Sequence, residues 1–402
     1  MSPRRSFRLT STFKEFFANE RAGAIVLILC TIVSLVLANT AFGPSYVKFF
    51  HSYLGPLSVE HWINDGLMAI FFLVIGLELE REIISGELSD LKKALLPIFA
   101  AIGGILVPAG IHFFFNNGTP SQSGVGIPMA TDIAFAVGVL ALIGNRVPAS
   151  LKVFLVALAV IDDLGAIIVI AVFYTSELAV GYLIGAIGVA LLLLAFNHFF
   201  RIMSLVPYLI GGTVMWYLML KSGVHATIAG VLLAFTIPFS AKQDDADSPS
   251  HKLEHFLHKP VAFIILPIFA LANTGLMIGS NWASELGSAN SLGILIGLGF
   301  GKPLGIFLVS FIVVTVGLCR LPLDLNWKHI IGAGMLGGIG FTMSIFITNL
   351  AFPGQQEMID SSKMAIFIAS VFSGAIGLLW LNLFGQPNND DDDPDTMDYD
   401  DE

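Results

Sequence analysis

Leu155–Tyr174, "LVALAVIDDLGAIIVIAVFY", sets two acids, Asp162 and Asp163, side by side in an otherwise apolar run. Some 20 apolar residues cross the roughly 30 Å hydrocarbon core as one helix. An acid at the centre of such a helix costs about 2.5–3.5 kcal/mol on insertion scales, so two of them mark a working site. Adjacent helical residues point about 100° apart. One carboxylate can therefore line a cavity while its neighbour meets a partner on another helix.

The rest of the chain has the same character. Of 402 residues, 55% are hydrophobic and only 12% charged, against about 25% charged in soluble globular chains. Such a composition excludes a soluble enzyme or a nucleic-acid-binding module and predicts an all-α integral membrane protein. The net charge of -10 describes the C-terminal tail, because Asn388–Glu402 holds nine of the thirty acids. With almost nothing to bury, residues 386–402 are expected to form a disordered acidic tail. Two cysteines, Cys30 and Cys319, give neither a metal-ligand spacing nor a disulfide framework. The basic, amphipathic segment 1–21 precedes an apolar run too long for a signal peptide, so it reads as a retained lead into a first span.

Twelve spans are predicted, at about 22–40, 60–83, 95–116, 121–143, 150–175, 179–200, 205–219, 223–238, 258–277, 290–315, 327–350 and 361–385. They compose one transport domain over 22–385. With the N-terminus inside, 16 of the 20 Lys and Arg residues fall in cytoplasmic segments, while Lys48, Lys221 and Lys363 fall outside. The bias places both termini in the cytoplasm.

Four ionisable residues lie deep in these spans: Asp132 in "IPMATDIAFAVGVLAL", the pair Asp162 and Asp163, and Lys302 in "LGFGKPLGIFLV". A neutral ion-pair cluster that only fixes helix register is the competing reading, but three acids against one lysine leave a surplus of negative charge. That surplus calls for a cation. Thr131 adds a hydroxyl oxygen beside Asp132, and carboxylate, hydroxyl and carbonyl oxygens suit a hard alkali or alkaline-earth ion. The same carboxylates bind protons, so proton and cation exclude one another. Combined with alternating access, that exclusion makes an exchanger.

Two spans carry helix-weakening sequence at mid-length. "GVGIPMATDIAF" (Gly124–Phe135) contains Pro128, and "GAGMLGGIGFTMSIF" (Gly332–Phe346) contains five glycines. Unwound backbone within a membrane is tolerated only where protein or a water-filled cavity satisfies it. One stretch lies in the second span of the trio 95–175 and the other in the second span of the trio 290–385. The trios run in opposite senses, as in inverted repeats whose discontinuous helices meet at a midplane site. Half-helix ends carry partial charge that Asp132 and Lys302 can offset.

"MATDIAFAVGVLALIGNRVP", "VIDDLGAI", "KSGVHATIAGVL", "LEHFLHKPVAFIILPIFALANTG", "GKPLGI" and "GGIGFTMSIFI" together resemble the bacterial sodium/proton antiporter A family, NhaA, over about residues 12 to 385. That family is one of those from which the inverted-repeat rule is drawn, so the two readings are not independent. The resemblance implies twelve spans, with crossed broken helices in spans four and eleven. It implies electrogenic exchange of sodium or lithium for a larger number of protons, in a bacterial inner membrane and without a cofactor. It gives ion and proton carriage to Asp162 and Asp163, assistance to Thr131, and helix-dipole compensation to Asp132 and Lys302, with Lys302 also paired to Asp162. It places pH regulation at a cytoplasmic funnel formed by Glu78, Glu82, Glu254, His255 and His258, with Arg81 among them and His225 in "SGVHA". His251 and His329 read as solvated loop residues. Glu80 stands where the family commonly has Lys, which makes the rim more acidic. The resemblance also implies a homodimer formed partly through the loop after the first span, where Tyr46, Val47, Phe49 and Phe50 suggest strand.

Other classes fit less well. Calcium takes six to eight oxygens, an organic anion would call for basic residues in the spans, and a channel for a continuous pore lined by repeated ligand rings. An intramembrane aspartyl protease would set its acids on facing chains about 3 Å apart.

Overall fold

The computed structural model describes residues 11–86, 88–175, 178–239, 248–279, 282–386 and 396–397. Helices form wherever apolar runs are long, because in lipid every backbone amide must bond within its own segment. Among the described residues, eight helices are long and apolar enough to cross a membrane: Arg21–Ala38, Leu91–Asn116, Pro120–Ile143, Ala149–Phe173, Val180–His198, Pro249–Asn273, Ala289–Thr315 and Gln356–Phe384. Trp327–Gly337 and Phe341–Ala351, bent by 47° at their junction, make a ninth if taken as one span. The three remaining segments expected to cross take other forms. A π turn, Trp62–Leu67, leads into Met68–Ile84; Leu205–Ser222 is a single helix; and 223–238 contains only the seven-residue helix Ile228–Ala234. The protein is thus all-α and multi-pass.

The domain expected over 22–385 resolves into two compact units. One comprises residues 1–25, 90–163 and 281–402, the other residues 26–89 and 164–280.

In the first unit, an interrupted segment occurs twice between longer helices. Leu91–Asn116 is followed by Pro120–Ile143 and Ala149–Phe173, the last as far as Asp163; Ala289–Thr315 is followed by Trp327–Ala351 and Gln356–Phe384. Pro120–Met129 is a 3-10 helix, and Ala130 to Asp132 is extended before Ile133–Ile143 resumes the α-helix. Pro120, Gly124, Gly126 and Pro128 explain the tight first half, since they remove donors and weaken α-geometry.

Leu91–Asn116 packs along Lys302–Thr315 with almost no space between the backbones. A Cβ on Gly305 would lie 2.1 Å from the Gly103 carbonyl oxygen, and one on Gly103 would lie 2.2 Å from that of Gly305. Gly103→Ala and Gly305→Ala are therefore each expected to cost about 1–3 kcal/mol or more of stability, read as a lower unfolding midpoint in detergent. Gly110→Ala, on the same helix with nothing within 4 Å of its Cβ position, should be neutral or stabilising by up to about 1 kcal/mol. Equal midpoints for all three variants would show that the contact does not matter.

In the second unit, Met68–Ile84 lies against Ile228–Ala234 at Gly230, where a Cβ would come within 2.1 Å of the Ala69 carbonyl oxygen. Leu73, Leu77, Tyr208, Met215 and Leu233 form its core. The strand expected from Tyr46 to Phe50 is instead helix, Gly43–His51. Pro44 near its start presets helical φ, and Tyr46 turns inward, its hydroxyl lying 2.7 Å from the Leu271 carbonyl and 3.0 Å from Ser34 Oγ. The strands come just after, as Tyr53–Leu54 paired antiparallel with Leu57–Ser58. Gly55, at φ +70, supplies the left-handed turn residue between them.

At the ends, residues 11–21 already belong to the first helix, Ser11–Ala38. Of the tail expected to be disordered, Thr396–Met397 forms a strand parallel to Leu321–Pro322, and the rest beyond Gln386 lies outside the described residues. Both cysteines are free thiols. Burial pushes the Cys319 thiol up to about 11, so it stays protonated at neutral pH.

Candidate functional site

The two interruptions in the first unit meet. The Asp132 amide donates to the Ile339 carbonyl at 2.7 Å, joining the extended break of one segment to the bend of the other. Asp132 caps its own helix by accepting from the Phe135 amide at 3.1 Å. Its second oxygen accepts from the Thr342 amide at 2.9 Å and from the Thr342 hydroxyl. One carboxylate thereby serves the N-terminal ends of two helices, each carrying about half a positive charge.

Lys302, 0% exposed, does the reverse. Its ammonium donates to the Met129 carbonyl, the last of the 3-10 helix Pro120–Met129. It also stands 2.7 Å from Asp162 Oδ2. That oxygen lies 2.6 Å from the Thr131 hydroxyl, which lies 3.0 Å from the Gly337 carbonyl. The hydroxyl has one proton for two acceptors and donates fully to only one at a time. Asp162 Oδ1 takes no hydrogen bond among the described residues. Asp163, like Asp162, is 1% exposed, and its charge also acts on Lys302.

The five residues singled out in the spans thus fall in one unit and around one junction. Thr131 and Asp162 are directly bonded, Lys302 joins Asp162 to the end of the 3-10 helix, and Asp132 holds the facing break. Gly104 packs beside the lysine stem, its Cβ position 3.7 Å from Lys302 Cε and 3.0 Å from Ile306 Cγ1. The donors gathered at the junction are carboxylate, hydroxyl and carbonyl oxygens, a hard-oxygen set suited to an alkali cation.

The residues expected to regulate the protein divide. Glu78 and His258 face each other at 3.5 Å, and Arg81 bonds Glu254 at 3.0 Å and Glu82 at 3.3 Å, all in the second unit. The "LEHFLH" stretch is not a loop, because the helix begins at Pro249 after a Ser248 cap and runs on into the span. His255 is exposed on that helix. His225 lies apart from this group: its Nε2 is 3.4 Å from Asp65 Oδ1, and its Nδ1 is 2.8 Å from the Thr227 hydroxyl.

Three residues were not foreseen in these positions. Asp65 is buried in the Trp62–Leu67 π turn and lies 3.4 Å from His61 as well as from His225; the i, i+4 spacing of "HWIND" was the available signal. Glu80 is buried and accepts from the Ser250 hydroxyl at 3.3 Å. His329, expected to be solvated, is fully buried: its Nδ1 accepts from the Asn326 amide in a capping box, and its Nε2 is 3.0 Å from the Gln386 carbonyl. The sequence "NWKH" holds that box, with His in place of the usual Glu or Gln.

The chain resembles known proteins over almost its whole length. The family model described as Na+/H+ antiporter 1 matches residues 14–381. The Na(+)/H(+) antiporter NhaA of Dechloromonas aromatica (strain RCB) is 68% identical over 382 residues, covering 95% of this chain and 98% of that protein. The Na(+)/H(+) antiporter NhaA of Cytophaga hutchinsonii is 60% identical over 376 residues, covering 94% and 96%. The Na(+)/H(+) antiporter NhaA 2 of Pseudomonas syringae pv. syringae (strain B728a) is 48% identical over 373 residues, covering 92% and 95%.

Proposed function

The chain belongs to the Na+/H+ antiporter 1 family, and from that footing we propose that it exchanges sodium or lithium for protons across a bacterial inner membrane. The observation that carries the reading is the shared oxygen Asp162 Oδ2, held by Thr131 and Lys302 where the two interruptions meet. Asp162 and Asp163 seat the cation, and the Thr131 oxygen completes its shell. A carboxylate that takes a proton gives up its charge and its hold on the cation; a bound cation expels the proton. Coupled acids titrate as a set. Two carboxylates releasing two protons per monovalent cation make the exchange electrogenic.

Thr131 follows the protonation state. With Asp162 ionised, its hydroxyl donates to the carboxylate; with Asp162 protonated, it accepts from the acid and donates to the Gly337 carbonyl. Each change at the carboxylate is thereby felt by the backbone of the second interrupted segment. Asp132 and Lys302 keep the helix ends at the junction compensated throughout alternating access.

The distribution of Lys and Arg supports a topology with both termini in the cytoplasm. It places Glu78, Arg81, Glu82, Glu254, His255 and His258 at the cytoplasmic end, where proton uptake by His258 beside Glu78 adjusts activity to cytosolic pH. Glu80 in place of the family's lysine alters the charge there, and His225 acts through Asp65. The exposed Phe49, Tyr53 and Leu54, flanking the hairpin turn, support a homodimer joined through that loop.

In everted membrane vesicles holding a proton gradient, sodium or lithium should collapse the gradient within seconds, and potassium or calcium should leave it intact. A gradient insensitive to sodium and lithium, or equally sensitive to potassium, would refute the proposal.

A further inference from the structure

A second buried polar group lies in the first unit, away from the carboxylates. His112, 0% exposed, sits on Leu91–Asn116 two turns beyond Gly104, a rise of about 12 Å from the level of Lys302. Its Nε2 is 3.1 Å from Asn290 Oδ1. The Asn290 amide nitrogen donates to Ser362 Oγ at 2.7 Å, and the Ser362 hydroxyl donates to the Met358 carbonyl at 2.6 Å.

That chain of bonds fixes a tautomer. Ser362 has spent its proton, so it accepts from Asn290; the asparagine oxygen then faces the ring and can only accept. His112 Nε2 therefore carries the hydrogen, and Nδ1 presents a lone pair. Nδ1 is buried and has no hydrogen-bond partner among the described residues. The ring is also clasped by glycines. A Cβ on Gly124 would lie 3.2 Å from its Cε1, and one on Gly293 would lie 2.9 Å from its Cδ2. One turn further, Asn116 donates to the Ala289 carbonyl at 3.0 Å and accepts from Ser121 at 2.6 Å. The cluster ties the 3-10 half Pro120–Met129 to three helices at the end opposite Lys92 and Lys93, which is the periplasmic end in the topology proposed above.

We propose that His112 is the proton-accepting residue of an outer latch: the His112–Asn290–Ser362 chain holds the ring against Gly124 of the Pro120–Met129 half, and a proton taken from the periplasm at Nδ1 releases that half. A protonated ring would be a buried cation with no counter-charge bonded to it among the described residues, which is strongly unfavourable. Pro120–Met129 and Ala289–Ile296 carry no charged residue, and Leu91–Asn116 carries only Lys92 and Lys93 at its far end. Gln356–Phe384 adds Glu357, Asp360 and Lys363 around Ser362, and Asp360 is engaged by Gln356 at 2.9 Å. The ring regains hydration only by leaving Gly124 and Gly293, which frees the half-segment whose end adjoins the carboxylates.

The inference rests on the proposed exchange. Proteoliposomes of uniform orientation, with external and internal pH set independently, test it. His112→Gln can still donate to Asn290 but cannot titrate. It should retain a rate within about threefold of the wild type at neutral pH while shifting the external pH of half-maximal exchange by at least 0.5 unit, with the internal-pH profile unchanged. Ser362→Ala, which loosens the chain and leaves the histidine, should raise the rate at neutral external pH and flatten the same profile. Wild-type external profiles in both variants overturn the latch. A wild-type protein that exchanges no sodium overturns the earlier reading instead.

Discussion

Asp163→Asn should abolish sodium- and lithium-driven proton release from everted vesicles, with the protein still inserted and folded. Asparagine keeps the shape of the side chain and one carbonyl oxygen, but it neither carries a negative charge nor exchanges a proton in the physiological range. Both halves of the competition are thus lost at once. At a site 1% exposed, removing a charged ligand costs about 3–5 kcal/mol of binding, which is a loss of roughly 150- to 5,000-fold. Asp163→Glu should retain partial exchange with weaker sodium affinity, because the charge survives and only its reach changes. Normal exchange by the Asn variant would remove Asp163 from the ion path and leave Asp162 alone to explain coupling.

The parts of this site that could be read from sequence are those for which burial itself is expensive. A charge in a membrane span has few reasons to exist, so Asp132, Asp162, Asp163 and Lys302 stood out against their neighbours. Pro128 and the glycines from Gly332 to Gly340 marked where the backbone gives way. Partner choice was less accessible. Nothing in the spacing pairs Asp132 with Thr342 and Ile339, more than 200 residues away, and only folding brings the Thr131 hydroxyl between Asp162 and the Gly337 carbonyl.

The misreadings have physical causes too. Aromatic and β-branched residues from Tyr46 to Phe50 argued for strand, but Pro44 opens a helix and Tyr46 finds buried acceptors, so tertiary bonds overrode propensity. His329 read as a loop residue because its capping role depends on Asn326 three residues earlier. The helix carrying Glu254 and His258 starts at Pro249, earlier than hydropathy suggested, because Ser248 and Pro249 are start signals that composition ignores. Within the expected segment 223–238, apolar composition gave no sign of how little is α-helical, which is only Ile228–Ala234.

Lys302 permits the sharpest test of how charge is held at the junction. Lys302→Met keeps most of the buried stem and removes the ammonium, which leaves the Met129 carbonyl without that donor and Asp162 with only Thr131 on the shared oxygen. Breaking one side of a buried ion pair typically costs about 3–5 kcal/mol, because the remaining charge is stranded without water. The thermal midpoint in detergent should fall accordingly. Removing the partner as well should reverse most of that loss: Lys302→Met with Asp162→Asn leaves a neutral amide that can still accept from Thr131, and replacing both members of a buried pair is often close to neutral. The double-mutant cycle should therefore return a coupling of about 2 kcal/mol or more, at the upper end for residues in contact. If the single variant melts with the wild type, or the double variant melts with the single, then Lys302 and Asp162 do not compensate each other. The lysine would then be held in the span by the Met129 carbonyl alone, and the link between carboxylate charge and the broken helix would have to run through Thr131.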